Sequence, residues 1–243
     1  MRQAYETWPL MEIFRHCARA LVPVQCPGCG REDDQWCESC AALWWNEPWR
    51  CEEEAGRLCD GRAPLPVWTL AALEGPVHAW IQAWKDADRR DLDVFLASAI
   101  ARATQHVSAA LEVCAPLAVV PLPSRPRSIR KRGADLPATL AEASVTALAS
   151  CGVSGVLRPV LSIAAGDSRG AGARDRWRKR DLSLMAGAVV PHEPVLLVDD
   201  VVTTGASLAH AVECLESKGA TVVAALVLAA RPRPSRNSGA RRA

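Results

Sequence analysis

Val195-Leu196-Leu197-Val198-Asp199-Asp200-Val201-Val202-Thr203-Thr204-Gly205-Ala206-Ser207 is the stretch that decides the fold. Four apolar β-formers run into two adjacent carboxylates. A turn of small and hydroxyl-bearing residues follows, and then a helical stripe of Leu208, Ala211, Val212 and Leu215 that Gly219 can end. A short, continuous apolar run of this kind reads as a buried parallel strand, and ligands of α/β sheets bind where such strands end. The turn, leading into a helix N-terminus, can wrap a phosphate in backbone N–H groups. The acids before it can accept hydrogen bonds from hydroxyls of the same ligand. That donor set suits a ribose 5-phosphate. The plain alternative is helix capping, which needs only one acid and no Thr-Thr-Gly turn.

Working outward, the same alternation of strand and helix recurs. Val67 to Leu73 reads as a strand, and Glu74-Gly75-Pro76 then turns into a helix with Pro76 in its first turn. A second helix is expected from near Arg89, with Leu92, Phe95, Leu96, Ala99 and Ile100 on one face. Leu117 to Leu122 is a further strand, residues 134–150 an alanine-rich helix, residues 164–174 a loop, and Thr221 to Leu228 a last buried strand. This order predicts an α/β fold with a mostly parallel sheet flanked by helices.

The cysteines divide the chain. Of ten, seven precede residue 60: Cys17, Cys26, Cys29, Cys37, Cys40, Cys51 and Cys59. With the proline-rich Ala63-Pro64-Leu65-Pro66, that gradient sets the expected domains at 1–65, 66–230 and a disordered basic tail at 231–243. Cys26-Pro27-Gly28-Cys29 and Cys37-Glu38-Ser39-Cys40 are two C-x-x-C knuckles, enough for the four-sulfur shell of one structural Zn²⁺. Four free or redox-active thiols are the alternative. Cys51 and Cys59 lack a second knuckle and do not support a second zinc.

Cations are clustered although the net charge is only +2. Arg125, Arg127, Arg130, Lys131 and Arg132 fall within eight positions just after a strand end. They read as a loop, either a clamp for a transferred phosphate group or a solvated charge run. Arg174 to Arg180, after the glycine-containing Gly166–Gly170, reads equally as a mobile lid or an exposed loop. Trp177 within it could stack on a base or pack. Eight of nine tryptophans precede residue 85; Trp44, Trp45 and Trp49 are expected to join the cysteine domain to the α/β domain, with a base-stacking platform as the alternative. The histidines form no recognisable triad.

No apolar run is long and charge-free enough to span a bilayer, and residues 1–25 contain Glu6, Glu12, Arg15, His16 and Arg19 rather than a secretory core. A cytoplasmic location, with cysteines as thiols or metal ligands, is the expectation.

The double C-x-x-C, Leu73-Glu74-Gly75-Pro76-Val77 with Trp84-Lys85, the arginine-rich stretch after Val120-Pro121-Leu122-Pro123, and the acid-pair segment occur in an order that resembles the ComF family. The acid-pair segment itself resembles the 5-phosphoribosyl-1-pyrophosphate (PRPP) motif of type I phosphoribosyltransferases. The resemblance implies a type I phosphoribosyltransferase fold behind a zinc finger, and PRPP bound with Mg²⁺. It implies that Asp199 and Asp200 hold the ribose hydroxyls and that Val202, Thr203, Thr204, Gly205, Ala206 and Ser207 receive the 5-phosphate. It adds Lys85, Arg125, Arg127 and Arg132 as further PRPP contacts. It leaves open a link to DNA uptake, with competence proteins as partners. Where the family has Phe-Asn-Gln after its Arg-x-Arg-Gly, this chain has Ala134-Asp135-Leu136. Purine-salvage relatives carry an aspartate at the place of Thr203, so a 6-oxopurine acceptor is disfavoured. Two functions stand side by side: a phosphoribosyltransferase with an unspecified acceptor, and a non-catalytic accessory protein binding PRPP, a nucleotide or single-stranded DNA.

Overall fold

The computed structural model describes residues 24–53, 58, 65–87, 89–111, 116–163 and 182–232. In chain order they form α1 (Glu38–Ala42), β1 (Trp49–Arg50), β2 (Val67–Ala72), α2 (Gly75–Asp86), α3 (Leu92–Ala110), β3 (Leu117–Pro121) and α4 (Pro126–Arg132). There follow α5 (Leu136–Ser150), β4 (Gly155–Leu157), β5 (Leu161–Ile163), β6 (Leu182–Leu184), β7 (Val195–Val202), α6 (Ala206–Glu216) and β8 (Val222–Ala230). Six strands make one sheet in the order β1-β2-β8-β7-β3-β4. Every neighbouring pair in it is parallel except β1 on β2. β5 and β6 pair separately as an antiparallel ribbon. The expected α/β fold with a mostly parallel sheet is therefore present.

The period of two along each strand sorts the core into two layers. Leu117 and Val119 of β3, Leu196 and Val198 of β7, and Leu226 and Leu228 of β8 share one cluster with α2, α3 and α5. Ala118 and Val120, Val195 and Leu197, and Ala225 and Val227 share the other with α6. β7 and β8 carry near-continuous apolar sequence because helices cover both of their faces. In α2 the buried residues are Val77, Trp80, Ile81 and Trp84, at the i, i+3, i+4, i+7 spacing of one helical stripe.

Several expectations need adjusting. β7 does not stop at the acids but continues through Val202, where it still pairs with Ala230 of β8. The basic segment folds as α4 rather than as a loop. Pro126 presets its first turn, and Arg130, Lys131 and Arg132 sit in its last turn, beside the negative end of the helix dipole. The helix expected from Arg89 starts at Leu92; Arg89 instead binds Asp91 and main-chain carbonyls. Among the three central tryptophans, only Trp44 is buried, edge-on to Trp80 at 5.7 Å. Trp45 is 43 % exposed and Trp49 38 % exposed, so both join through partly exposed contacts, Trp49 by pairing with Thr69 of β2. Trp45 still meets Phe95 edge-on at 5.6 Å. Gly166–Gly170, Trp177 and Arg174–Arg180, Cys17, Cys59, Ala63-Pro64 and the tail beyond Pro232 lie outside the described residues.

Trp80 lies at the middle of this packing: fully buried, against Trp44 and stacked on Phe95 at 5.1 Å between centroids. Trp80→Ala is expected to cost about 3–5 kcal/mol, the range for emptying a buried aromatic site. Urea unfolding of the two proteins measures it, and a loss under about 1 kcal/mol would place the packing centre elsewhere.

Candidate functional site

Consecutive residues of a strand point to opposite faces, so Asp199 and Asp200 cannot act as one bidentate pair. Asp200 follows Leu196 and Val198 onto the face covered by α2 and α3. It is 7 % exposed. A carboxylate taken out of water needs a cation or hydrogen bonds, and α2 supplies the cation: Lys85 Nζ lies 2.6 Å from Asp200 Oδ2. Asp199 turns to the face of Val195 and Leu197. It is half-buried, and its Oδ1 accepts the backbone N–H of Asp200 at 2.8 Å.

After Val202 the chain makes the Thr203–Gly205 turn. Gly205 adopts φ 75°, ψ 2°, the left-handed conformation that a side chain resists, and stands at the N-cap of α6. Thr204 Oγ1 accepts the Ala206 N–H at 3.4 Å. The first-turn N–H groups of α6 thus open on the same side as the carboxyl end of β7, which favours an anion there.

These elements enclose a cavity of about 490 Å³. Its wall includes Lys85, Arg125, Arg132, Asp199, Asp200 and every residue from Val201 to Ser207. Nearly all the anticipated site residues are therefore brought together. Arg127 is the exception: it is exposed and absent from the lining, because it sits on the outer side of α4. Ser124, Ser128 and His210 also line the cavity, and Ile163 and Leu182 of the β5–β6 ribbon give it an apolar side. His210 falls one helical turn after Ser207, a spacing that marks it for the same face. Ile163 and Leu182 carried no comparable signal, since two three-residue strands give no readable period.

The second constellation is the cysteine hairpin. Cys26 N–H donates to Arg31 O and Gly30 N–H to Cys26 O, each at 2.9 Å, which curls the first knuckle. Cys37 caps α1 and Cys40 lies one turn into it. Gly28 is required by close approach, because a Cβ there would stand 2.7 Å from Cys40 Sγ and 3.1 Å from Pro76 Cβ. The four Sγ atoms lie within 4.8 Å of one another. A tetrahedral shell with metal–sulfur bonds of about 2.3 Å has edges near 3.8 Å. Cys26 Sγ is 3.7 Å and Cys29 Sγ 3.6 Å from Cys37 Sγ, so the set fits one metal ion. Burial tends to raise the Cys26 thiol, but hydrogen bonds from the N–H groups of Cys37, Cys29 and Gly28 outweigh it and bring it down to about 6. Burial, together with hydrogen bonding to its neighbours, pushes Cys40 upward. A bound metal would close the hairpin, with no open position for chemistry. Cys51 is buried in the opposite core layer and is not part of this set.

Residues 172–240 match the model of the phosphoribosyl transferase domain. That stretch is similar to the phosphoribosyl transferase domain, over a little more than a quarter of the chain. The matched stretch holds β6, β7, α6 and β8, that is, the acid-bearing strand, its turn and the helix behind it. Adenine phosphoribosyltransferase 5 of Arabidopsis thaliana is 50 % identical over 42 residues, which is 17 % of this chain and 22 % of that protein. The chain thus matches about a fifth of that relative's length. No helix among the described residues is long and apolar enough to cross a membrane.

Metal analysis of the purified chain is expected to give about one ion per molecule, as a single four-thiolate shell implies. Cys29→Ser or Cys40→Ser should lose it. Metal content should fall as the pH is lowered, because protons compete with the metal for all four sulfurs. Full retention in both variants would overturn the assignment.

Proposed function

We propose that the chain binds PRPP in the cavity at the end of β7 and transfers its phosphoribosyl group to a nucleophilic acceptor, as a ComF-type protein whose cysteine hairpin holds Zn²⁺. The observation that carries this reading is the convergence, in one cavity, of two carboxylates, an anion-binding turn and three cations. Each matches one part of PRPP. The 5-phosphate suits the N–H groups and hydroxyls from Thr203 to Ser207. Asp199 suits a ribose hydroxyl, with Asp200 beside it held and charge-compensated by Lys85. Arg125 and Arg132 on the α4 side suit the pyrophosphate, which leaves as an anion.

Mg²⁺ prefers oxygen ligands and keeps part of its water, and the carboxylate of Asp199 with the nearby hydroxyls is an oxygen donor set that fits it. When bound, the ion neutralises charge on the pyrophosphate. The residues of this chain do the rest. They fix C1 of the ribose between the departing pyrophosphate and the acceptor. The acceptor's lone pair forms the new bond to C1 as the C1–O bond breaks, its electron pair leaves with pyrophosphate, the acceptor's N–H proton passes to water, and positive charge builds on the sugar ring in between. Positioning and the fixed charges around it can supply much of the acceleration. The apolar side formed by Ile163 and Leu182 suits a flat, weakly polar acceptor. Adenine heads the candidates because of the relative named above; Thr203 offers no carboxylate to receive a proton from a 6-oxopurine.

Calorimetry with PRPP and Mg²⁺ tests the reading. Asp199→Asn with Asp200→Asn should weaken binding by about 10- to 150-fold, since a hydrogen bond to a charged group is worth about 1.5–3 kcal/mol. Equal affinity in the double variant would rule the site out. Pyrophosphate release with adenine and other acceptors then separates a transferase from a protein that only binds PRPP.

A further inference from the structure

The cysteine hairpin and the acid pair belong to different parts of the fold, yet one helix touches both. At the start of α2, Pro76 lies against Gly28, whose added methyl group would stand 3.1 Å from Pro76 Cβ. In its middle, Trp80 meets Trp44, which follows the second knuckle. One residue before Lys85, Trp84 Nε1 donates to Asp93 Oδ1 at 2.7 Å. Lys85 itself holds Asp200.

Beyond the helix, Arg89 returns to the hairpin. Its Nη1 donates to Gln25 O at 2.9 Å and its Nη2 to Gln35 O at 3.0 Å. Gln25 directly precedes Cys26, and Gln35 lies two residues before Cys37. One guanidinium therefore spans the mouth of the hairpin from a carbonyl on each arm. Asp91 fixes it bidentately, at 2.8 Å to Nε and 2.7 Å to Nη2, and also accepts from the Gln35 side chain at 3.2 Å. The two carbonyls stay in reach of one guanidinium only while the arms stay together. Four sulfurs this close lock them together when a metal binds them; without it, the arms rest on their packing, the Gln25–Glu32 bridge, the Cys37 N–H to Cys26 Sγ bond at 3.4 Å and thiol contacts, none of which fixes them as a metal does.

We propose that metal occupancy of the cysteine hairpin is sensed at Asp200: a closed hairpin, clasped by Arg89, seats α2 so that Lys85 stays on the Asp200 carboxylate, and an open hairpin releases it. Lys85 is on this view a positioning residue for the acid, and the hairpin controls the cavity from the far side of α2. The coupling is reciprocal, so a ligand that needs Lys85 on Asp200 also tightens the metal. The consequence for PRPP rests on the function proposed above; the coupling itself does not.

The test reads Lys85 without any ligand. The rate at which an amine-reactive reagent labels Lys85 is followed by mass spectrometry, with exposed Lys218 as internal reference. In the metal-loaded chain Lys85 should label slowly. Chelation under reducing conditions, and Arg89→Met with its metal retained, should each raise the rate about threefold or more, toward that of Asp200→Asn, with Lys218 unchanged. If chelation speeds both lysines alike, the chain has unfolded, and metal-loaded Arg89→Met decides, its fold checked by near-ultraviolet circular dichroism. Should that variant be misfolded, Arg89→Lys replaces it, since it keeps the charge but cannot span two carbonyls. An unchanged Lys85 rate in the folded, metal-loaded Arg89 variant overturns the proposal. A chain that shows the Lys85 response but binds no PRPP loses the proposed function and keeps the coupling.

Discussion

A nearly buried carboxylate at the end of the central strand constrains the rest of the molecule. Asp200 continues the face of β7 that Leu196 and Val198 bury under α2 and α3. Removing one member of such a buried pair typically costs about 3–5 kcal/mol, because the survivor is left charged and dry. The fold therefore must bring a cation to this spot. Lys85 does so from the last turn of α2, where its stem continues past Trp84 and its ammonium reaches Oδ2. The crossing of α2 over the sheet and the charge at the strand end are one arrangement.

The division of the two acids has a chemical consequence. Asp200 spends one oxygen on a lysine, whereas Asp199 keeps to the other face with one oxygen on a backbone N–H. Two adjacent, identical side chains thus meet a ligand with different partners behind them. Around them the cavity sets anion-binding groups on two sides, the turn into α6 on one and the arginines of α4 on the other. A ligand with phosphate at both ends of a hydroxylated sugar matches that distribution of charge better than a ligand with one anionic group would.

The hairpin is held by packing rather than by a tether. Cys26, Cys37, Cys40 and Trp44 belong to the same buried cluster as α2, α3 and α5. Gly28 shows how close the contact is, since even a methyl group would collide with a ligand sulfur and with α2. The cysteine set and the α/β sheet therefore share one hydrophobic core.

What could be read from the chain alone was whatever depends on neighbours in sequence. The apolar run of β7, the four-position spacing of α2 and α6, and the paired C-x-x-C are local patterns whose period or spacing dictates their geometry. They sufficed for the α/β class, the acid–turn–helix unit and the four-sulfur set. Short elements escaped: β4, β5 and β6 span three residues each, too few to show a period. The basic stretch read as a loop because its helix is held by end effects, a proline at one end and cations at the other, rather than by an apolar stripe. Trp44 and Trp45 are adjacent and chemically the same, and only packing decides that one is buried and the other faces water. The ion pair of Lys85 with Asp200 and the clasp of Arg89 on Gln25 and Gln35 join residues distant in the chain. Such contacts are set by where helices cross the sheet, and no local pattern encodes that.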